Sequence, residues 1–165
     1  MPTNELTDYL DRGARALVLL HERSMRAYLA TWRKAVKAGV KLPETKDASY
    51  ASLQTLLFHG LRAARGYMTW MCEQLGLPDP GIEPPPTADK VEAEADRYLA
   101  QLLERWRVPL AKVESSRFEE SHKTNWGEML SIEAMLEHAV MHPQRHQFQL
   151  EELLEAQGSA GSRGR

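Results

Sequence analysis

The sequence predicts an all-α protein, a four-helix bundle, and three observations carry that prediction. Apolar residues recur at helical spacing in four long stretches, and polar or Pro/Gly-rich breaks separate these stretches. No segment shows the alternation of a strand, and no internal repeat is present. Amphipathic helices without a sheet to cover them bury their apolar faces most economically against one another.

The first stretch, about Asn4 to Ala38, places Leu6, Leu10, Leu17, Leu20, Tyr28 and Trp32 at helical spacings. Thr3 is its expected N-cap and Gly39 its stop. The second runs from about Asp47, the expected cap, to Leu75, with Leu53, Leu56, Leu57, Gly60, Ala64, Tyr67, Trp70 and Met71 on one broad stripe. GLPDPGIEPPPT then ends it, because proline has no amide donor and clashes with the preceding turn. A third helix is expected over Ala88 to Leu110, capped by Thr87, and KVESSRFEESHKTN follows as an irregular or briefly extended connection. The fourth is expected from Trp126 to about Ala156. Asn125 is the expected cap, with Glu128 completing a capping box on the inner face. Residues 1–157 are read as a single domain, and the small polar residues 158–165 as a disordered tail.

Bulk properties exclude several functions. The formal charge is −2, from 21 basic and 23 acidic residues without a cationic block, so nucleic acid is not an expected partner. Cys72 is the only cysteine, which rules out an intrachain disulfide and suits a reducing compartment. Without a histidine partner in sequence, and buried on a helix, its thiol is expected to be inert. The beginning, MPTNELTDYLDRGAR, lacks a signal-peptide core, and no run is long and apolar enough to span lipid. A soluble, cytoplasmic protein is expected, with no membrane partner.

The chemistry concentrates in histidine. His142 and His146, four apart in EHAVMHPQRHQFQL, project from one helical face and can grip a single ion. At about 100° per residue the two differ by about 40°, and both fall within the apolar stripe of the fourth helix. His59, at the stripe edge of the second helix, supplies a third imidazole. Three neutral nitrogen ligands leave a coordination position open, and an open position separates a reactive metal site from a purely structural one. The bland alternative is that these histidines are hydrogen-bonded core residues. His138, one turn before His142 but about 40° to the other side, is an alternative ligand, a proton donor behind the ligands, or a partly exposed polar residue. His21 and His122 have no partner at ligand spacing and read as ordinary polar residues. Arg62, Tyr67, Trp70, Arg145 and Gln149 are the expected lining of a pocket beside the centre. The arginines suit an anionic substrate group, or else they are solvated surface residues.

This order of residues resembles the DinB/YfiT-like superfamily of metal-binding four-helix proteins. The likeness rests on His59 in LLFHGLRAARGYMTW and on His142, His146 and Gln149 in EHAVMHPQRHQFQL, with the Pro-rich second connection in keeping. The resemblance implies an up-down-down-up or related topology and a divalent ion, zinc or nickel, on His59, His142 and His146. It makes Gln149, beside His138, a supporting residue or alternative ligand, and the protein a homodimer. Relatives include enzymes that join a low-molecular-weight thiol to an electrophile. One departure is Pro143 between the paired histidines. It predicts a kink costing about 3 kcal/mol that rotates His142 relative to His146, and it frees the Ala139 carbonyl to anchor an ordered water.

Function is therefore expected to be that of a metal-dependent thiol S-transferase or hydrolase acting on a small molecule. The reacting group would be a metal-bound water or thiolate, and no side chain is nominated as catalytic. The competing expectations are a metal-binding dimer without turnover and a metal-free helical interaction protein.

Overall fold

The computed structural model describes residues 6–162, and within them four long helices carry the fold. Helix α1 spans Arg12–Lys37. Asp11 starts it, its carboxylate accepting from the Ala14 amide at 2.7 Å. Thr3, the expected cap, lies outside the described residues, and residues 6–10 ahead of Asp11 are turn, bend and irregular backbone, not helix. The inward face is Ala14, Val18, His21, Met25, Tyr28, Leu29, Trp32 and Ala35, whereas Leu10 and Leu20, expected inside, are exposed. Gly39, at φ +66°, adopts the left-handed turn that stops the helix.

Asp47 does cap, but it caps a single 3₁₀ turn, Ala48–Tyr50, rather than the second helix. Helix α2, Leu53–Leu75, begins instead at Ser52. There Ser52 and Thr55 form a reciprocal capping box, and Gly76 at φ +66° closes the other end. The Pro-rich connection is pinned down by Arg65 and Tyr98, which donate to the carbonyls of Ile82 and Glu83. Helix α3 is Val91–Trp106, shorter than expected at both ends. Thr87 serves it through its carbonyl, which accepts from the Lys90 and Val91 amides.

The largest departure precedes the last helix. The connection read as irregular or briefly extended holds a short strand, β1 (Ser121–Lys123), and residues expected to begin the helix supply its antiparallel partner, β2 (Met129–Ser131), with His122 opposite Leu130. Asn125 and Glu128 therefore sit in the turn between them. The cap of α4 (Ile132–Ser162) is Ser131, whose hydroxyl accepts from the Ala134 amide at 3.0 Å. Helix α4 continues past the expected end near Ala156, through Gly158 and Gly161. Residues 163–165 of the expected tail lie outside the described residues. Pro143 lies inside α4, which is continuous through it.

Side-chain bridges give the directions of the helices. Tyr28 and Trp32 of α1 donate to the Leu56 and Leu53 carbonyls, so α2 runs opposite to α1. Gln54 meets Glu92 and the Trp106 indole reaches the Ala64 carbonyl, so α3 runs with α2. Ser24 meets Gln144 and Ala38 meets Gln157, so α4 runs with α1, against which it packs most extensively. The core between them is built on Trp32, Trp106, Tyr28, Tyr98, Met25, Met68 and Met71. His21 belongs to this core as well, correcting the expectation of an ordinary polar residue. It is fully buried and stacked on Trp106 at 3.7 Å, with neither ring nitrogen hydrogen-bonded. Among the described residues no helix is long and apolar enough to cross a membrane.

Candidate metal centre

Opposite directions of α2 and α4 bring His59 level with the pair His142 and His146. His59 Nε2 lies 3.1 Å from His142 Nε2, which lies 3.3 Å from His146 Nε2. One nitrogen from each of the three lies within 4.8 Å of the others, and among the described residues this is the one group of its kind. His142 and His146 are buried and His59 half-buried, matching two central ligands and one at the stripe edge. Pro143 does not prevent the pair from converging. The proline is itself buried, as are His142 and His146 on either side of it.

A glycine makes room for this approach. A Cβ at Gly60, the residue after His59, would lie 2.7 Å from Tyr28 Cε1, so the phenol of α1 rests directly on the α2 backbone. The Tyr28 ring in turn lies 6.0 Å from that of His146.

The outer nitrogens are held by residues that the sequence reading overlooked, together with one it foresaw. His146 Nδ1 faces Gln149 Oε1 at 3.1 Å and the Tyr50 hydroxyl at 3.3 Å, and that hydroxyl donates to Gln149 Oε1 at 3.1 Å. Facing an acceptor, Nδ1 carries the proton, and the inward Nε2 is left with its lone pair. Gln149 thus braces one of the three imidazoles from outside their group. His59 Nδ1 meets the Ser49 hydroxyl at 3.4 Å. Both Ser49 and Tyr50 come from the 3₁₀ turn, and the only signal for them was the Asp47 cap that folds this turn back over the centre.

Electrostatics favours neutral imidazoles. Burial first, then the neighbouring His146, His59, His138 and Arg145, pushes His142 down to about 3. Burial also lowers His59, against the pull of Asp47, and lowers His146 against its bond to Gln149. At these separations neutral rings either share a proton between two Nε2 atoms or, with every Nε2 bearing a lone pair, repel unless a cation lies among them. Tetrahedral ligands about 2.0–2.1 Å from a zinc ion stand about 3.3–3.4 Å apart, close to the two separations here. The donor set and its spacing therefore fit a divalent ion.

His138 stands outside the group of three. Its ring centroid is 6.0 Å from that of His142, and it meets Tyr67 edge-on at 5.2 Å and Trp126 at a tilt at 5.7 Å. A cavity of about 300 Å³ opens beside His59, walled by Arg62, Tyr67, Trp70, Asn125, Trp126 and Met135 among others. Three of the expected pocket residues thus line it. Arg145 and Gln149 do not: Arg145 is exposed and only its charge reaches His138, His142 and His146, while Gln149 faces a different cavity. A second cavity of about 400 Å³ lies behind Tyr50 and Gln149, and no histidine lines it. The cavity with His59 in its wall is the one placed to deliver a small molecule to the centre.

The two hydroxyl supports can be tested apart from the ligands. Tyr50→Phe removes the hydroxyl that bonds to both His146 and Gln149 and should weaken zinc binding about 10-fold, as loss of a ligand-orienting partner does. Competition against a chromophoric chelator reads the affinity, and an unchanged constant would show that the phenol plays no part in positioning.

Compared with family models, curated proteins and solved structures, the chain matches none, so its function is argued from this geometry.

Proposed function

We propose that His59, His142 and His146 hold one divalent cation, zinc or nickel. On this reading the protein is a metal-dependent enzyme of thiol S-transferase or hydrolase type that works on a small molecule as a homodimer. The DinB/YfiT-like resemblance implies the same, and the helix directions agree with it, α1 and α4 running one way and α2 and α3 the other. The observation that carries the proposal is the convergence of three Nε2 atoms from two antiparallel helices beside an open cavity.

A bound divalent ion supplies Lewis acidity that turns a water or a thiol into a nucleophile near neutral pH. The chain supplies the rest. Tyr50, Gln149 and Ser49 fix the orientation of two imidazoles, so their lone pairs are aimed before anything binds. Burial pushes the Tyr67 phenol up to about 12, so it stays protonated and can donate a hydrogen bond to a substrate oxygen in the cavity. Arg62 sets a positive charge on the cavity wall.

The test begins with metal stoichiometry. The chain, stripped with a chelator, should take up one equivalent of zinc by calorimetry, and cobalt should give the absorption of a four-coordinate site. His59→Ala and His142→Ala should each abolish stoichiometric uptake. No uptake by the native chain, or uptake retained in both variants, would reject the centre and leave core histidines in a metal-free protein. Zinc uptake with a large rise in melting temperature, but no thiol conjugation or hydrolysis across an electrophile and ester panel, would make the ion a structural pin.

A further inference from the structure

The walls of the cavity beside His59 specify more than its position. Helix α2 presents His59, Arg62, Ala63, Gly66, Tyr67 and Trp70 on one face, so Arg62 stands one turn, about 5 Å, along the helix from the ligand imidazole. No carboxylate lines the cavity, and among the described residues Arg62 enters no ion pair. Arg145 adds positive potential at His138 and His142. Two acids act on the histidines around the cavity: Asp47 on His59, and Glu128 on His138, the latter also accepting from the Trp126 indole at 3.2 Å.

Aromatic rings line the cavity as well. Trp126 is half exposed at the lip, its ring tilted by 32° to that of His138 at 5.7 Å. Tyr67 meets the same imidazole edge-on at 5.2 Å. A tryptophan left half in water costs hydrophobic free energy that an occupant of the cavity would recover. The hairpin turn carrying it is closed by main-chain bonds between Thr124 and both Gly127 and Glu128, so the indole is held in place at the entrance. About 300 Å³ is the small end of the range for ligand pockets.

From this juxtaposition we infer that the cavity takes a small, flat carboxylate, aromatic or conjugated, with its carboxylate on Arg62 and its face against Trp126. This rests on the metal-centre reading for which end of the molecule reacts, but the binding itself does not need the ion. The guanidinium offers paired donors that match two carboxylate oxygens, and the rings offer flat faces to a conjugated body.

Calorimetry with trans-cinnamate, cinnamyl alcohol and cyclohexanecarboxylate, on zinc-loaded and zinc-free protein, tests the inference. Cinnamate should bind at least about tenfold more tightly than its uncharged alcohol, the worth of one exposed charge-assisted contact. Arg62→Gln should erase that preference, and Arg62→Lys should restore part of it. Trp126→Ala should erase the preference for cinnamate over the non-planar cyclohexane acid while leaving the Arg62 effect in place. Equal binding of acid and alcohol, or cinnamate affinity untouched by Arg62→Gln in both forms, would overturn it. A chain that takes up no zinc yet binds cinnamate through Arg62 would reject the metal centre and uphold this subsite.

Discussion

A His21→Leu variant should resist acid better than the native chain, by roughly 3 kcal/mol at pH 4. His21 is fully buried against Trp106 with both nitrogens unpaired, and burial pushes its pKa down to about 3. The unfolded chain takes up this proton near the ordinary value of about 6.5. At pH 7 both states carry a neutral ring, and the linkage contributes nothing. As the pH falls below 6.5 the unfolded state binds a proton that the folded state refuses, so folding loses about 1.4 kcal/mol per unit until the folded value near 3 is reached. Leucine removes that penalty. At pH 7 it also removes two unsatisfied nitrogens, worth ~1–3 kcal/mol, offset by loss of the stack on Trp106. Urea midpoints at pH 7 and pH 4 for both proteins measure the change. The imidazoles of the metal centre are common to both and cancel in the difference. Midpoints that fall in parallel would place the acid sensitivity elsewhere.

Trp32→Ala should cost ~3–5 kcal/mol, the range for emptying a buried aromatic site. The indole has no solvent exposure, and its Nε1 donates to the Leu53 carbonyl at 2.7 Å in the first turn of α2. With Tyr28, which bonds the Leu56 carbonyl at 3.1 Å, it ties α1 to the stretch of α2 that leads into His59. Domains of this size are stable by only about 5–15 kcal/mol, so the loss is a large share of the total. Trp32→Phe retains much of the packing and forfeits the donor, and should lose much less. Equal destabilisation by the two substitutions, read from denaturant unfolding, would mean that the hydrogen bond rather than the packing governs this joint.

The helical interiors and the histidine constellation were legible because both follow from period. The 3.6-residue rhythm put His142 and His146 inward and His59 at an edge, and the observed burial follows that order. Helix starts were less legible because Ser, Thr, Asp and Asn crowd every break. Asp47 and Ser52 both cap, one a turn and the other a helix, and composition does not rank them. The brief extension over β1 was foreseen, but its pairing with β2 was invisible for a different reason. The two strands are three residues each, too short to show alternation, and Trp126 with Glu128 imitated the first turn of a helix. Leu10 and Leu20 were assigned inward although His21 and Ser24 occupy part of the buried face of α1. Partners of the outer imidazole nitrogens depend on how the turn before α2 folds back, which no spacing rule encodes. Gln149 was reachable because it shares a helix with His146.

That folded-back turn also makes a partition. The larger hollow, with Leu42, Pro43 and Leu153 among its walls, ends at Tyr50 and Gln149, and His146 stands directly behind them. Between greasy chamber and imidazoles there is a bulkhead one phenol and one carboxamide thick. Two side chains outside the group of three imidazoles thus stand between it and a second doorway, and shortening either should change which molecules can reach it.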